Sequence, residues 1–377
     1  LANINFLRGV PADEALVPVA QALSDAYSKV FADFGGKIIQ YGSPGLTDFL
    51  GYNGLKVTLG KRFGAAGDPL KQVICTNGGM ETFSFVLKAL PRGSKVAADA
   101  ICYDRVLIDI ERHEHETVGV PLQEDGADLD ALKHVLESGD IEIYYQVGYH
   151  HNPLGNTISK ANMEGASELC ARYNVLHVVD IAYFELRYDG HRNQLLSSLT
   201  EYPETTSVVG SFTKTLSPGA KCGFGVFPEP WVERLFPVIS NTRLNPNYPT
   251  QAAIDELFKN GFYDKNLDYL VGLYGPRMEA ANKAMAEYLP DLQVPKLTGG
   301  FFVGLWVKGV HDAAKFVAAV KEKGATIATA KLFAPGFEEK LREEKDGVFF
   351  RLTFPAYTAE ENEAGIKAIA DAYNEMT

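Results

Sequence analysis

The sequence has only 4 cysteines in 377 residues. Cys75, Cys102, Cys170 and Cys222 show neither Cys-x-x-Cys spacing nor histidines at zinc-like intervals. A disulfide framework and a structural zinc site are therefore disfavoured, and reduced thiols in a cytoplasmic protein are expected. Long apolar runs are also missing. No stretch approaches 18 uncharged apolar residues, so no membrane span is expected. Basic excess is absent: 36 Lys+Arg stand against 48 Asp+Glu, a formal charge of −12 with a pI near 5.2. Phosphate-backbone recognition wants a clustered basic face, so nucleic acid is a poor partner. Neither Gly-Lys-Ser/Thr nor Gly-x-Gly-x-x-Gly follows the first strand candidate, which argues against a Walker loop and a nicotinamide dehydrogenase. Internal repeats and low-complexity stretches are absent as well.

What is present is a globular composition, 46% hydrophobic and 22% charged, in a chain too long for one hydrophobic core. Strands are expected at Gln72–Thr76, Lys95–Ala98, Ile141–Gly148, Leu176–Ile181, Val208–Phe212 and Cys222–Phe227. Helical stretches such as Met80–Leu90, Leu129–Leu136 and Lys160–Tyr173 lie between them. This alternation predicts an α/β fold, a mostly parallel central sheet covered by helices on both faces. From about Asp264 a long helix to about Leu289 is followed by strand candidates Phe301–Val307, Thr326–Thr329 and Val348–Phe354, a pattern that predicts a smaller α+β domain. The opening 40 residues, with an amphipathic helix over Val17–Phe34, either join that domain or form an arm. The expected division is 1–44 for the arm and part of the small domain, 45–265 for the large domain and 266–377 for the small one.

Chemistry concentrates where strands end. Ser211-Phe212-Thr213-Lys214 leads through Pro218-Gly219 to Lys221. Hydroxyls with a cation suit a phosphate, and a desolvated lysine near a second cation has the depressed pKa a Schiff-base amine requires. An exposed Lys-rich turn explains this segment, taken alone, more simply. Asn77-Gly78-Gly79-Met80 opens a helix, where backbone N–H groups and the dipole favour an anion; a plain tight turn is the simpler account. Asp180-Ile181-Ala182-Tyr183 offers a carboxylate at the sheet edge, able to pair with a protonated ring nitrogen or merely to cap a turn. His150 and His151 precede Asn152-Pro153-Leu154-Gly155; adjacent side chains diverge on a strand, so no metal site is expected. Tyr103 also follows a strand, and an arginine, Arg351, comes later. The ordered series, all at strand ends of one sheet, is what carries weight.

With these motifs the sequence resembles the class I/II aminotransferases, pyridoxal-phosphate enzymes of fold type I, nearest the aminoadipate/kynurenine-type branch. The resemblance runs from about Asn5 to the end and includes Glu185-Leu186-Arg187-Tyr188-Asp189-Gly190. It implies pyridoxal 5'-phosphate as cofactor, with Lys214 as the Schiff-base lysine that shuttles the α-proton, Asp180 on the pyridine nitrogen, and Asn152 and Tyr183 on the phenolic oxygen. It further implies Tyr103 stacked on the ring and Gly78, Gly79, Met80, Ser211, Thr213 and Lys221 around the phosphate. Tyr41 would reach the partner subunit's phosphate in a homodimer with composite active sites. Arg351 would clamp the substrate α-carboxylate, with Asn152 and the Gly9 backbone lining the substrate pocket. Four departures stand out. Lys221 replaces the usual Arg, Gly79-Met80 removes a hydroxyl or amide, Leu154 replaces Thr, and Arg8 replaces a small residue. Arg8 either binds a second anionic group of the substrate or makes a surface ion pair.

The expected activity is transfer of an amino group from an L-amino acid to a 2-oxo acid in a ping-pong cycle. The same constellation also begins elimination, β/γ-replacement, decarboxylation and racemisation, so a lyase or another specialised biosynthetic enzyme is the alternative. A non-catalytic regulator reusing the fold has no reason to keep Lys214, Asp180 and Arg351 together. The 22 Phe and 18 Tyr belong to the core and give no substrate preference.

Overall fold

A computed structural model describes residues 3–377. Seven strands form the central sheet: β1 Val73–Thr76, β2 Lys95–Asp99, β3 Glu116–Val120, β4 Ile141–Val147, β5 Leu176–Asp180, β6 Thr206–Ser211 and β7 Gly223–Val226. Their order is β1-β7-β6-β5-β4-β2-β3, and β7 runs antiparallel to both of its neighbours. The six expected strands are all here, with ends moved by at most two residues. The seventh, β3, gives no signal in the sequence because an edge strand reading Glu-Thr-Val-Gly-Val carries no apolar run.

Side chains alternate across the sheet as the strand period demands. Ile74, Tyr145, Val178 and Val209 enter one core, while Val73, Cys75, Val179 and Val208 enter another. The register sets Asp180 opposite Val147 and Val209, and Ser211 opposite Gly223, which in turn lies opposite Thr76. The carboxyl ends of β1, β4, β5 and β6 thus share one edge, where open parallel sheets present their ligand sites.

Helix α1 spans Asp13–Phe34, four residues ahead of the expected start. Pro18 lies inside it and cannot donate to the Glu14 carbonyl; the Tyr269 hydroxyl donates to that carbonyl instead, at 3.1 Å. Val19, Ala26 and Val30 of α1 pack into the large core, against Ala252, Ala253 and Ile254 of a later helix. The residues just before α1 behave differently. Ile4–Asn5 pair in parallel with Ala325–Thr326, and Phe6 and Ala12, with Ala15 in the first turn of α1, belong to the C-terminal core. That two-residue pairing is all that forms of the strand expected at Thr326–Thr329, since its only partner is equally short.

Further helices are α2 Gly79–Lys88, α3 Asp104–Arg112, α4 Lys160–Arg172, α5 Tyr248–Lys259, α6 Phe262–Tyr288 and α7 Ala359–Met376. Helix α6 passes from one core to the other: Tyr263 and Leu267 sit in the large core, Leu270, Tyr274 and Met278 in the C-terminal one. That second core is built on the antiparallel pair β8 Phe302–Lys308 and β9 Gly347–Thr353. Among the described residues, no helix is long and apolar enough to cross a membrane.

A capping box closes the start of α7. Glu361 N donates to Thr358 Oγ1 at 3.2 Å, and Thr358 N donates to Glu361 Oε2 at 2.9 Å. Thr358→Ala is expected to cost on the order of 1 kcal/mol. The check is a lower urea midpoint at an unchanged slope; an unchanged midpoint would show that the box contributes nothing.

Candidate active site

Lys214 follows β6 by three residues and turns back over the sheet edge. Its Nζ donates to the Gly9 carbonyl at 2.6 Å, with the Tyr183 and Phe301 rings 6.0 and 5.5 Å away. Burial first, and the charge of Arg351 second, lower its pKa from 10.5 to about 8. The amine is therefore far easier to deprotonate than a surface lysine.

Gly9 reaches this point because the Ile4–Asn5 pairing and the buried Phe6 lead the chain across the cleft. A β-carbon on Gly9 would fall 2.3 Å from Phe302 Cζ, so only glycine lets the backbone pass over that ring. Phe302 also meets Tyr183 edge-on at 5.8 Å and carries the Arg351 guanidinium 4.8 Å above its face. Arg351 Nη1 donates to Asn152 Oδ1 at 3.1 Å, and Asp104 Oδ1 is 3.9 Å away. Most of the five-donor fork stays free of protein hydrogen bonds among the described residues, which suits a carboxylate.

Asp180, at the tip of β5, accepts from Ala182 N at 2.8 Å and from the Tyr145 hydroxyl. Burial raises its pKa, opposed by those two bonds and by His151. It is a carboxylate that gains from a cation beside it. Tyr103 sits at the start of α3, and Tyr183 follows Asp180; burial pushes both phenols up, with Asp180 acting further on each.

The Gly78–Gly79–Met80 turn opens α2. Gly78 has φ 144° and offers no side-chain cap, so the first N–H groups of the helix are free for an anion. A β-carbon on Gly79 would lie 3.8 Å from Ser211 Cβ, and one on Gly223 only 2.5 Å from the Gly78 carbonyl carbon. The turn is thereby clasped against β6 and β7. Ser211 Oγ and Thr213 Oγ1 are 2.8 Å apart beside it.

Three expected residues stand at the margin. Arg8 and Lys221 are at the surface; the Arg8 carbonyl accepts from Thr353 Oγ1 at 3.3 Å, two residues beyond Arg351. Tyr41 is 75% exposed. The paired histidines diverge: His150 meets Asn193 Nδ2 at 2.9 Å, and His151 Nε2 lies 3.3 Å from Asp99. A groove of about 1550 Å³ takes in Leu154 but none of Lys214, Asp180, Ser211 and Arg351.

Sequence reasoning passed over three residues. Phe302 reads as ordinary core. Arg243 braces the anion turn through the Cys75 carbonyl at 2.6 Å and Glu81 at 3.0 Å, and nothing in Asn241-Thr242-Arg243-Leu244 signals it. Tyr145 alone left a trace, since strand alternation puts it and Val147 on one face, and Asp180 lies across from Val147.

Residues 18–369 match the family model of aminotransferase class I and II. The aromatic-amino-acid aminotransferase 1 of Thermococcus litoralis is 25% identical over 384 residues, covering 99% of this chain and 88% of that protein. A 2-aminoadipate transaminase of Thermus thermophilus is 27% identical over 338 residues, covering 88% and 82%. Among solved structures, the α-aminoadipate aminotransferase of Thermus thermophilus, complexed with N-(5'-phosphopyridoxyl)-L-leucine, superposes with a TM-score of 0.85 at 23% identity, covering 99% of this chain and 92% of that one. The chain belongs to the class I and II aminotransferases and is a pyridoxal-phosphate-dependent transferase of amino groups. The donor set fits that cofactor: free helix N–H groups and hydroxyls for a phosphate, a buried carboxylate for a ring cation, and an amine with a pKa of about 8 for an aldehyde.

Two outcomes are expected. Gly9→Ala should lower kcat/KM roughly 100-fold by pushing Phe302, and Arg351 with it, off position; full activity with an unchanged circular dichroism spectrum would refute the close approach. For Lys214, the neutral amine is the reactive form and is lost as pH falls below its pKa. Capture of pyridoxal phosphate by the apoprotein should therefore rise about tenfold per pH unit up to about 8 and then level off. A rise continuing beyond about pH 10 would show an ordinary surface lysine.

Proposed function

We propose that this enzyme moves the amino group of an L-amino acid to a 2-oxo acid with Lys214 as the residue that carries both the cofactor and the proton. The observation behind this is a desolvated amine held 2.6 Å from a backbone carbonyl, with a buried carboxylate at the neighbouring strand end and, from β9 of the second core, a guanidinium most of whose donors are unused. The family assignment favours this reaction over elimination or replacement. Bound there, pyridoxal phosphate supplies an electron-withdrawing ring that acidifies the substrate's α-proton.

The chain's own residues do the rest. Arg351, steadied by Asn152 and the Phe302 face, grips the α-carboxylate and fixes which bond at Cα faces the ring. Lys214 Nζ takes the proton from Cα and returns it on the other side of the exchange, a task that suits a pKa near the working pH. Asp180 would keep a proton on the ring nitrogen. Asn152 and Tyr183 would hold the phenolic oxygen, Tyr103 would stack on the ring, and Gly78, Gly79, Met80, Ser211, Thr213 and Lys221 would hold the phosphate. Arg8, at the mouth with its carbonyl tied to Thr353, meets a second anionic group, so a dicarboxylic amino acid of the 2-aminoadipate kind is the proposed substrate. The transaminase named for that compound is among the relatives.

Residues of about 45–265 form the cofactor domain in this reading and 266–377 the smaller one, with residues before 45 contributing to both. The exposure of Tyr41 supports a homodimer in which Tyr41 of one protomer reaches the phosphate held by its partner. The four free, buried thiols support a reducing, cytoplasmic setting.

Lys214→Ala should abolish turnover and shift the absorption band of the cofactor-loaded protein to that of free pyridoxal phosphate; unchanged turnover with an unchanged band would sink the assignment. Arg8→Ala should raise KM for 2-aminoadipate about tenfold and leave KM for an aromatic amino acid unchanged, as expected for one charge-assisted bond. Equal effects on both substrates would remove the second-anion role. For the shared site, two inactive variants, Tyr41→Ala and Lys214→Ala, should regain up to roughly a quarter of wild-type activity when their subunits are mixed, because half the dimers then hold one intact site. No recovery would rule out the sharing.

A further inference from the structure

Asp180 is held from below by a residue with no family role assigned above. The Tyr145 hydroxyl donates to Asp180 Oδ2, while Ala182 N takes Oδ1. Tyr145 is 1% exposed, and its ring lies 4.6 Å from that of Phe83. Phe83 belongs to α2, the helix whose first turn forms the anion cup. One phenol therefore ties the carboxylate on β5 to the helix that faces the phosphate.

Chemistry gives this contact a direction. Burial keeps the Tyr145 phenol protonated well beyond any working pH, so it acts as a donor to the carboxylate. A donated bond stabilises the charged form of Asp180 against the burial that disfavours it. It does so without adding a charge that would compete for the ring nitrogen. The other titratable groups that act with Asp180 are His151 on the loop after β4, Cys102 and Tyr103 ahead of α3, and Tyr183 just beyond it. Of these, only His151 acts to favour ionisation of Asp180, and its ring is turned to Asp99 at 3.3 Å.

We propose that Tyr145 is a positioning residue that keeps Asp180 ionised and aimed into the cleft, and through it sets how firmly the cofactor's ring nitrogen holds its proton. The proposal rests on the assignment of Asp180 to that nitrogen. Tyr145 bonds Asp180 and packs on Phe83, so in this reading its effect passes through the carboxylate. The strand sets the height of the phenol at the sheet edge, and the Phe83 contact sets the tilt of its ring.

The test uses the holoenzyme loaded with pyridoxal phosphate carrying ¹⁵N in the ring, with the nitrogen's NMR shift followed against pH. Tyr145→Phe keeps the packing on Phe83 and removes only the hydroxyl. It should lower the pH at which the ring nitrogen loses its proton by about one unit and weaken cofactor retention about tenfold, as loss of a bond to a charged group predicts. Difluorotyrosine placed at position 145 is a stronger donor of nearly the same shape, and should move the titration the opposite way. A purely structural role would not reverse sign between these two, and the fluorinated protein still answers the question if the phenylalanine variant does not fold. Asp180→Asn runs beside them. A changed titration there, with unchanged titration and retention in Tyr145→Phe, overturns the proposal alone. An unchanged titration in Asp180→Asn overturns the Asp180 assignment and the proposal with it.

Discussion

The desolvation of Lys214 is the constraint around which the site is arranged. An ammonium in water is comfortable; one enclosed by Tyr183, Phe301 and a single backbone carbonyl is not. No carboxylate among the described residues is placed against it to restore the balance. That choice demands a wall of aromatic rings on one side and a chain segment thin enough to slide between them. It explains why Gly9 lies over Phe302, why residues 4–5 must first be anchored on the C-terminal core, and why the helix that follows returns to the large one. The amine is made reactive by what surrounds it, and the surroundings come from both cores.

The same economy governs the other charges. Arg351 is supported by an amide oxygen and a ring face, and Asp180 by an amide N–H and a phenol. The hydrogen-bond partners of each are neutral, and the carboxylate nearest Arg351, that of Asp104, stands off at 3.9 Å, so much of each charge remains available to whatever enters. In a protein with twelve more acidic than basic side chains, this local withholding of counterions is what makes the cleft able to bind a phosphate and a carboxylate. Net charge says nothing about it.

Much of this is legible in the sequence. The strands with apolar runs announce themselves, and their ends carry Asp180, Ser211, Lys214 and Asn152 into one edge as the α/β pattern requires. The edge strand Glu116–Val120 is invisible there because most of its side chains stay in contact with solvent. The start of α1 is obscured by Pro18, whose lost hydrogen bond is repaired by a tyrosine 251 positions away in sequence, counting from Pro18 to Tyr269. Phe302 and Arg243 cannot be found that way, since their roles come from contacts between segments distant in sequence, and their residue types fit a core and a loop equally well. Tyr145 lies between these cases: alternation gives its face, and only the register gives its partner.

Helix α6 carries a consequence for how the molecule is divided. At 27 residues it is a rod of about 40 Å, and its first turns belong to one core while its later ones belong to the other. A boundary near residue 265 falls inside its opening turn. Severing the chain there would leave the large piece without the stretch of helix that buries Leu267, and the small piece with an apolar stub in water. The two lobes are thus separable as places where chemistry happens and inseparable as pieces that fold, so the gene cannot be cut where the function is most naturally partitioned.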